Sequence, residues 1–450
     1  MKEKIRVIQY LGSKVNILDA IEKEIKKITP EHGTVVDLFS GTGVVSSYLA
    51  DSYRVIANDV QEYSSLITGV LIKNSRSLIG YDDLINSEAY KNNKDELCKY
   101  FKDILEYEQQ VIENNDTELL AKLCECNVFY NGENISDTSR DELKKIFGES
   151  INMFTDESIE KFKNDRDIYA LFTLYYSNSY FSVEQCIEID SIRKAIDMIE
   201  TNSTENSVTK KILMVCLLHA VSEIVSSVGK NFAQPIKVVD GSGKIKTFAI
   251  NRCMRDRKLK IEDPFKEMLE ILNRRRKIYS DSNKAYTLDS FEAIEITEIK
   301  AADTFYLDPP YTIDHYSRFY HVLETLVKYD YPILEEKKYN GKIYLMNGRY
   351  RNDRFQSNYC IPSKGKMEFE KLIETISSTG ANIIMSYSDS DDNQDTRKRV
   401  VSKVELMELL KKNYPNVKMR NISHRYRKLS SKNSNRKELD DGELLFICHY

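Results

Sequence analysis

Asp303-Thr304-Phe305-Tyr306-Leu307-Asp308-Pro309-Pro310-Tyr311 is the stretch from which the fold is read. Phe305-Tyr306-Leu307 is a continuous apolar run, the pattern of a strand buried on both faces of a parallel sheet. The strand stops at Asp308, because neither proline has an amide hydrogen to extend a ladder and Pro310 fixes its own φ. Pro310 also holds Pro309 in an extended conformation. What results is a stiff hook at a strand's carboxyl end, carrying the Asp308 carboxylate, the Pro309 carbonyl and the Tyr311 ring. Open α/β sheets bind ligands at that edge.

Those groups suit one chemical problem. The exocyclic amine of adenine is a poor nucleophile, because its lone pair is delocalised into the ring. Asp308 and the Pro309 carbonyl can each accept one N–H bond, drawing the nitrogen toward tetrahedral geometry, and Tyr311 offers a face for stacking. Extruding a base costs a few kcal/mol, and stacking returns about 1–3 kcal/mol per base. Catalysis of this kind is positioning and electrostatics. Taken alone, the same residues also describe a strand-to-turn junction with a buried tyrosine, so the argument needs partners upstream.

Thr34-Val35-Val36-Asp37-Leu38-Phe39 reads as a second buried strand, followed by Ser40-Gly41-Thr42-Gly43 and a short helix. Strand, glycine turn and helix bring a nucleotide-like ligand against helix amides. Two glycines, and no Gly-Lys-Ser/Thr, disfavour a pyrophosphate. Asp37 would repel phosphate but receive the ammonium of an amino-acid moiety, which points to S-adenosylmethionine. The next strand, Arg54 to Asn58, ends at Asp59, placed to hold ribose hydroxyls or to cap the following helix. Asp289, after Ala285 to Leu288, is open to the same two readings: acceptor for the cofactor's adenine amine, or helix cap. Ahead of them, Tyr10-Leu11-Gly12-Ser13-Lys14 precedes an amphipathic helix ending near Pro30. There Gly12 permits close backbone approach and Lys14 can meet a carboxylate.

From about residue 80 to 283 the pattern changes to charged, helix-favouring stretches, including amphipathic runs at 96–112, 189–199 and 208–228. This is an insertion too long to be a loop. The chain therefore divides into 1–79, 80–283 and 284–450. The sheet resumes after the insertion, a helix over 317–328 is placed to cover the site, and two final strands near 417–426 and 443–450 form an antiparallel hairpin at the sheet edge.

The 450 residues are 41% apolar and 30% charged, ordinary for a soluble protein, and no apolar run approaches a membrane span. The opening residues read as a patterned segment rather than a signal peptide, and eight scattered cysteines read as reduced thiols of a cytoplasmic protein without a metal centre. Lys plus Arg (66) against Asp plus Glu (70) gives a net charge of −4, so contact with nucleic acid must be local. Basic sets lie at 252–277, 349–366 and 425–437. Lys230 and Lys237, flanking a loop, and Arg274, Arg275 and Arg276 are the candidate phosphate contacts.

Tyr10 to Lys14, Asp37 to Gly43, Asn58-Asp59 and Asp308 to Tyr311, in this order, resemble the motifs of DNA adenine-N6 methyltransferases of the DNA adenine methylase (alpha) group. The similarity covers residues 1–75 and 284–450. It implies a class I methyltransferase fold, Rossmann-like, with a seven-stranded sheet whose last strand is antiparallel, interrupted by a mainly helical target recognition domain. By match, Tyr10 and Lys14 would contact the cofactor, Gly41 and Gly43 form its glycine turn and Asp59 hold its ribose; Gly12, Asp37, Phe39 and Asp289 join them as candidate cofactor contacts from the residues themselves. Asp308, Pro309, Pro310 and Tyr311 would form the flipped-adenine site. The expected partners are double-stranded DNA and a cognate restriction endonuclease. The rival readings are an RNA-adenine or cytosine-N4 methyltransferase and, from another class, an NAD-dependent oxidoreductase.

Overall fold

The computed structural model describes residues 2–125, 144–275, 281–313, 315–339, 341–388, 399–422 and 442–450. Arg276 and the third basic set lie outside them. The chain forms two compact units, one made of Met1–Asn74, Arg275–Ser317 and Phe355–Tyr450, the other of Ser75–Arg274 and Arg318–Arg354.

The first unit is built on strands β1 (Thr34–Asp37), β2 (Arg54–Asp59), β3 (Lys284–Thr287), β4 (Thr304–Leu307), β5 (Asn382–Ser388), β6 (Asn416–Ile422) and β7 (Glu443–His449). They form one seven-stranded sheet in the order β3-β2-β1-β4-β5-β7-β6. β1 pairs in parallel with both β2 and β4, and β7 runs antiparallel to β5 and β6. Helices α1 (Leu18–Ile28) and α2 (Val44–Leu49) lie on one face, over Val35, Val55, Tyr306 and Ile384. Helices Gly365–Ser377 and Lys403–Asn413 pack on the other, over Val36, Phe305, Leu307, Ile383 and Met385. Both faces are covered, which is why the central strands carry consecutive apolar residues rather than an alternation.

The last strand is antiparallel and forms the expected hairpin with β6 at the sheet edge, with β6 as its outer member. Leu444 to Cys448 are all buried, so β7 inserts between β5 and β6. β6 is largely exposed and carries Lys418 and Arg420, the composition of a protected edge.

The second unit is mainly helical, centred on Val183–Asp197 and Thr204–Ile224. From Ile212 to Ser222 the latter is buried at every position, the mark of a core helix. The sequence reading kept 318–354 with the catalytic half, whereas its contacts place it with the helices. Arg193 Nε donates to Leu326 O (2.9 Å), the Phe232 amide to Phe319 O (2.8 Å) and Tyr329 Oη to Asp190 (2.5 Å). The helix Tyr316–Lys328 accordingly brings only Tyr316 and Ser317 to the cavity described below. Among the described residues no helix is long and apolar enough to cross a membrane.

Candidate active site

β1 has β2 on one side and β4 on the other, so the direction of winding reverses there and a crevice opens at the strands' carboxyl ends. The crevice is lined by the loop Tyr10 to Lys14, the turn Asp37 to Thr42, Asn58 to Gln61, Leu288 to Ser290 and Asp308 to Pro310. Segments more than two hundred residues apart in sequence therefore meet on one cavity within the first unit.

The turn has its shape for steric reasons. Gly41 and Gly43 have φ of +50° and +72°. A Cβ on Gly41 would lie 3.1 Å from the Tyr10 ring, and one on Gly43 2.6 Å from Thr68 Oγ1. Asp59 pins this turn: Oδ2 accepts from the Gly41 amide (2.9 Å) and Oδ1 from the Gln61 amide (3.0 Å), at the entry to α3 (Glu62–Leu71). Asp289 caps the helix Ser290–Ile294, with Oδ1 accepting from the Phe291 amide at 2.9 Å. Asp289 thus performs its capping role, whereas Asp59 braces the glycine turn and the helix entry, whose N-cap is Gln61; both acidic residues line the cavity.

Asp37 is 1% exposed. Oδ2 accepts from Ser46 Oγ at 2.6 Å, while Oδ1 has no hydrogen-bond partner among the described residues. Burial pushes its carboxyl up to about 7, and the charges of Asp308 and Asp59 push the same way. The buried Asn58 Oδ1 is also unpartnered, as are Ser13 Oγ and Ser317 Oγ, and all four residues line the cavity. Unsatisfied buried acceptors beside a glycine cradle call for a ligand rich in donors. An amino-acid ammonium and ribose hydroxyls meet that demand.

Lys14 is 4% exposed, and the carboxylates it meets belong to the protein. Its Nζ lies 3.0 Å from Asp308 and 3.1 Å from Glu443, and donates to Gly12 O at 3.1 Å. Asp308 is pushed up to about 6, chiefly by burial; Lys14 opposes the shift and Glu443 adds to it. Pro309 and Pro310 line the cavity beside Asp308, whereas Tyr311 does not. Its ring packs on Tyr387 at 4.8 Å between centroids, so the expected stacking face is turned to the protein core.

Sequence reasoning missed several wall residues. Tyr316 lies 5.6 Å from Tyr10 ring to ring, and Tyr359 meets Phe39 edge-on at 5.4 Å. Tyr359 and Phe355 come from an aperiodic stretch with no motif to signal them, and the fully buried Glu443 sits on the last strand.

The predicted phosphate contacts fare unevenly. Lys230 is committed to helix-end carbonyls, including Val225 O at 3.3 Å. Arg275 is buried and donates to Ser47 Oγ at 2.6 Å, so it is not available to DNA. Arg274 is exposed, in an i,i+4 pair with Glu270, and Lys237 is exposed on the second unit.

The strand order with its reversed seventh strand and the cavity at the β1/β4 switch define a class I methyltransferase fold. The chain belongs to the D12 class N6 adenine-specific DNA methyltransferase family, whose pattern matches residues 10–213 and 244–344. It is 25% identical to the modification methylase LlaI of Lactococcus lactis subsp. lactis, over 96% of this chain and 53% of that protein. The type II methyltransferase M.FokI of Planomicrobium okeanokoites is 25% identical over 85% and 44%, respectively. The modification methylase StsI of Streptococcus sanguinis is 26% identical over 98% and 51%. The chain thus spans about half the length of these relatives.

Proposed function

We propose that this chain methylates N6 of adenine in double-stranded DNA using S-adenosylmethionine, as the protective partner of a restriction endonuclease in the cytoplasm. The observation that carries the reading is the placement of Asp308 on the cavity that also holds the Asp37–Gly43 turn. Family membership supports adenine over cytosine, and methyl transfer over hydride transfer.

When bound, S-adenosylmethionine supplies an electrophilic methyl group on a sulfonium. In our reading Asp37 receives its ammonium, and Asp59 its ribose hydroxyls with the lone pairs its two amide bonds leave over. Gly41 and Gly43 admit the ligand against backbone, Tyr10, Gly12 and Phe39 enclose it, and Asp289 accepts from its adenine amine. Asp308, as carboxylate, and the Pro309 carbonyl accept the two N–H bonds of the target amine. They hold its nitrogen in line and stabilise the positive charge that develops on it. Lys14 holds Asp308 in its ionised form and fixes its direction. Pro310 keeps the hook rigid, and Tyr311 anchors it against Tyr387.

The test is transfer of label from radioactive S-adenosylmethionine to a pool of DNA duplexes, with RNA of matched sequence in parallel. Label in duplex DNA, located by sequencing at adenine, is the expected result. Asp308→Ala should reduce transfer by about three orders of magnitude or more while cofactor binding persists. Undiminished transfer by that variant would refute the assignment.

A further inference from the structure

A second cavity lies wholly within the second unit, and its charge is unlike that of the chain. Lys237, Arg257, Arg318 and Lys337 line it, and among the described residues no Asp or Glu does. Arg257 is neutralised at its floor by the buried carboxylate of Glu108 and hydrogen-bonded to Asn178 Oδ1 at 2.6 Å. The other three cations are exposed, and none is in an ion pair with a described acidic residue. This contrasts with the neighbouring basic residues, which are consumed internally. Arg252 and Arg255 pair with Asp256, Arg351 with Asp330 and Asp353, and Arg354 with Glu335.

The rim is rigid. Arg318 Nε donates to Tyr350 Oη at 3.0 Å, with its guanidinium 5.1 Å from that ring's centroid. Tyr180 Oη donates to Phe232 O (2.6 Å) and Gly348 O (3.1 Å), tying the loop 346–348 to the helices. Tyr180, Phe181 and Tyr350 are each no more than 2% exposed, so their faces are not available to stack on an extruded base. What the cavity offers outward is three cations and the exposed amide side chains of Gln234 and Asn347. Cations of this kind contact phosphates, and amides pair with base edges in a groove.

We propose that this cavity is a duplex-DNA contact site, in which Lys237, Arg318 and Lys337 hold backbone phosphates and Gln234 and Asn347 read base edges. The proposal rests on the reading of DNA as substrate and adds a location and a division of labour to it.

The experiment measures binding of the full chain to a fluorescent pool of duplexes between about 50 and 300 mM salt, with S-adenosylmethionine present throughout. Lys237→Gln combined with Lys337→Gln should weaken binding about tenfold or more and lower the salt slope by about 2, one per phosphate contact. Both side chains are exposed, so melting should be unchanged. Arg318→Gln should act in the same direction, and Lys99→Gln, at an exposed pair with Glu96, should not. Gln234→Ala and Asn347→Ala should leave the slope intact and relax the sequence preference of methylation. An unchanged slope in the double variant, with the parent chain binding normally, overturns the site and leaves the proposed function standing. Failure of the parent chain to bind duplex at all removes both. Displacement of duplex by millimolar inorganic phosphate beyond what equal ionic strength produces would reassign the cavity to a small anion.

Discussion

Lys14 stands between two carboxylates, 3.0 Å from Asp308 and 3.1 Å from Glu443, and this geometry sets how the site responds to pH. Burial and Glu443 both raise the Asp308 carboxyl, to about 6, and Lys14 opposes them. Asp37, Tyr306 and Tyr311 are the other titratable groups coupled to it. The ionised form is the stronger acceptor for the target amine and the one that stabilises the positive charge developing on it, so the single-turnover methylation rate should climb as pH rises through about 6 and then level. Glu443→Gln removes one upward push and should move this acid limb to lower pH. Lys14→Met removes the opposing cation and should move it higher, cutting the rate at pH 7 roughly tenfold or more. Rate profiles from pH 5 to 9 check both shifts, and limbs unmoved in both variants would disconnect Asp308 ionisation from the rate. Asp37 gives a second sign test. Its folded value of about 7 lies above the ordinary 3.8, so the folded, ligand-free chain holds a proton that the unfolded chain has lost between those values. That contribution is present below about pH 4 and is lost as pH rises through about 7. Asp37→Asn should therefore melt higher than the parent at pH 8, with the difference shrinking as pH falls and small below about pH 4. Its cofactor affinity, by calorimetric titration, should fall about tenfold or more.

The local chemistry of these residues was legible in sequence, because a carboxylate at a strand end and a glycine after it are contiguous features. Partnership was not. Nothing in the sequence distinguishes Lys230, which serves helix-end carbonyls, or Arg275, buried against Ser47, from the exposed Lys237. A basic run reports charge, and only the fold reports which charges are already spent.

Among the elements, β1, its turn and β4 were readable because each combines an apolar run with a stop of known cause. The turn carries its own prediction. Gly43 has φ +72°, and an added Cβ would stand 2.9 Å from the Thr68 Cα, which belongs to backbone and cannot swing away. Gly43→Ala should cost about 1–3 kcal/mol, measured by urea unfolding, from left-handed strain together with the clash. Trimming Thr68 to Ala in the same chain should recover only the part due to Oγ1. The final strands show the limit of the method. Two apolar-containing runs with no helix between them, joined by a long polar loop, announce a hairpin, but its depth in the sheet depends on which member is apolar on both faces. Leu444 to Cys448 is that member, and it displaces β6 to the edge.

At the scale of the molecule, a reading that runs along the chain draws domain boundaries where composition changes, and 318–354 has no such change at its start. Its allegiance is fixed by side chains that reach across more than a hundred residues. Tyr329 and Tyr331 both have φ of +48°, a conformation non-glycine residues adopt only when the surroundings hold them. The Tyr329 and Tyr331 hydroxyls accept from the Leu171 and Ala170 amides (both 3.2 Å), and Tyr329 Oη also donates to the buried Asp190 at 2.5 Å. Asp190 further accepts from the Phe172 amide (2.9 Å), the Thr173 amide (2.8 Å) and Thr173 Oγ1 (2.8 Å). Four donors converge on one carboxylate, so this residue joins the two segments of the second unit. Tyr329→Phe deletes one donor, leaves the Leu171 amide unpaired, and should cost about 1–3 kcal/mol. Asp190→Ala strands every donor at once and should cost about 3 kcal/mol or more, approaching loss of the fold of that unit. The double variant should cost less than the sum, because the Tyr329 hydroxyl has no acceptor left to lose. Urea unfolding of the four proteins measures that coupling. Strict additivity would mean that Tyr329 and Asp190 do not act as a unit and that the other contacts of 318–354 hold it to the helices.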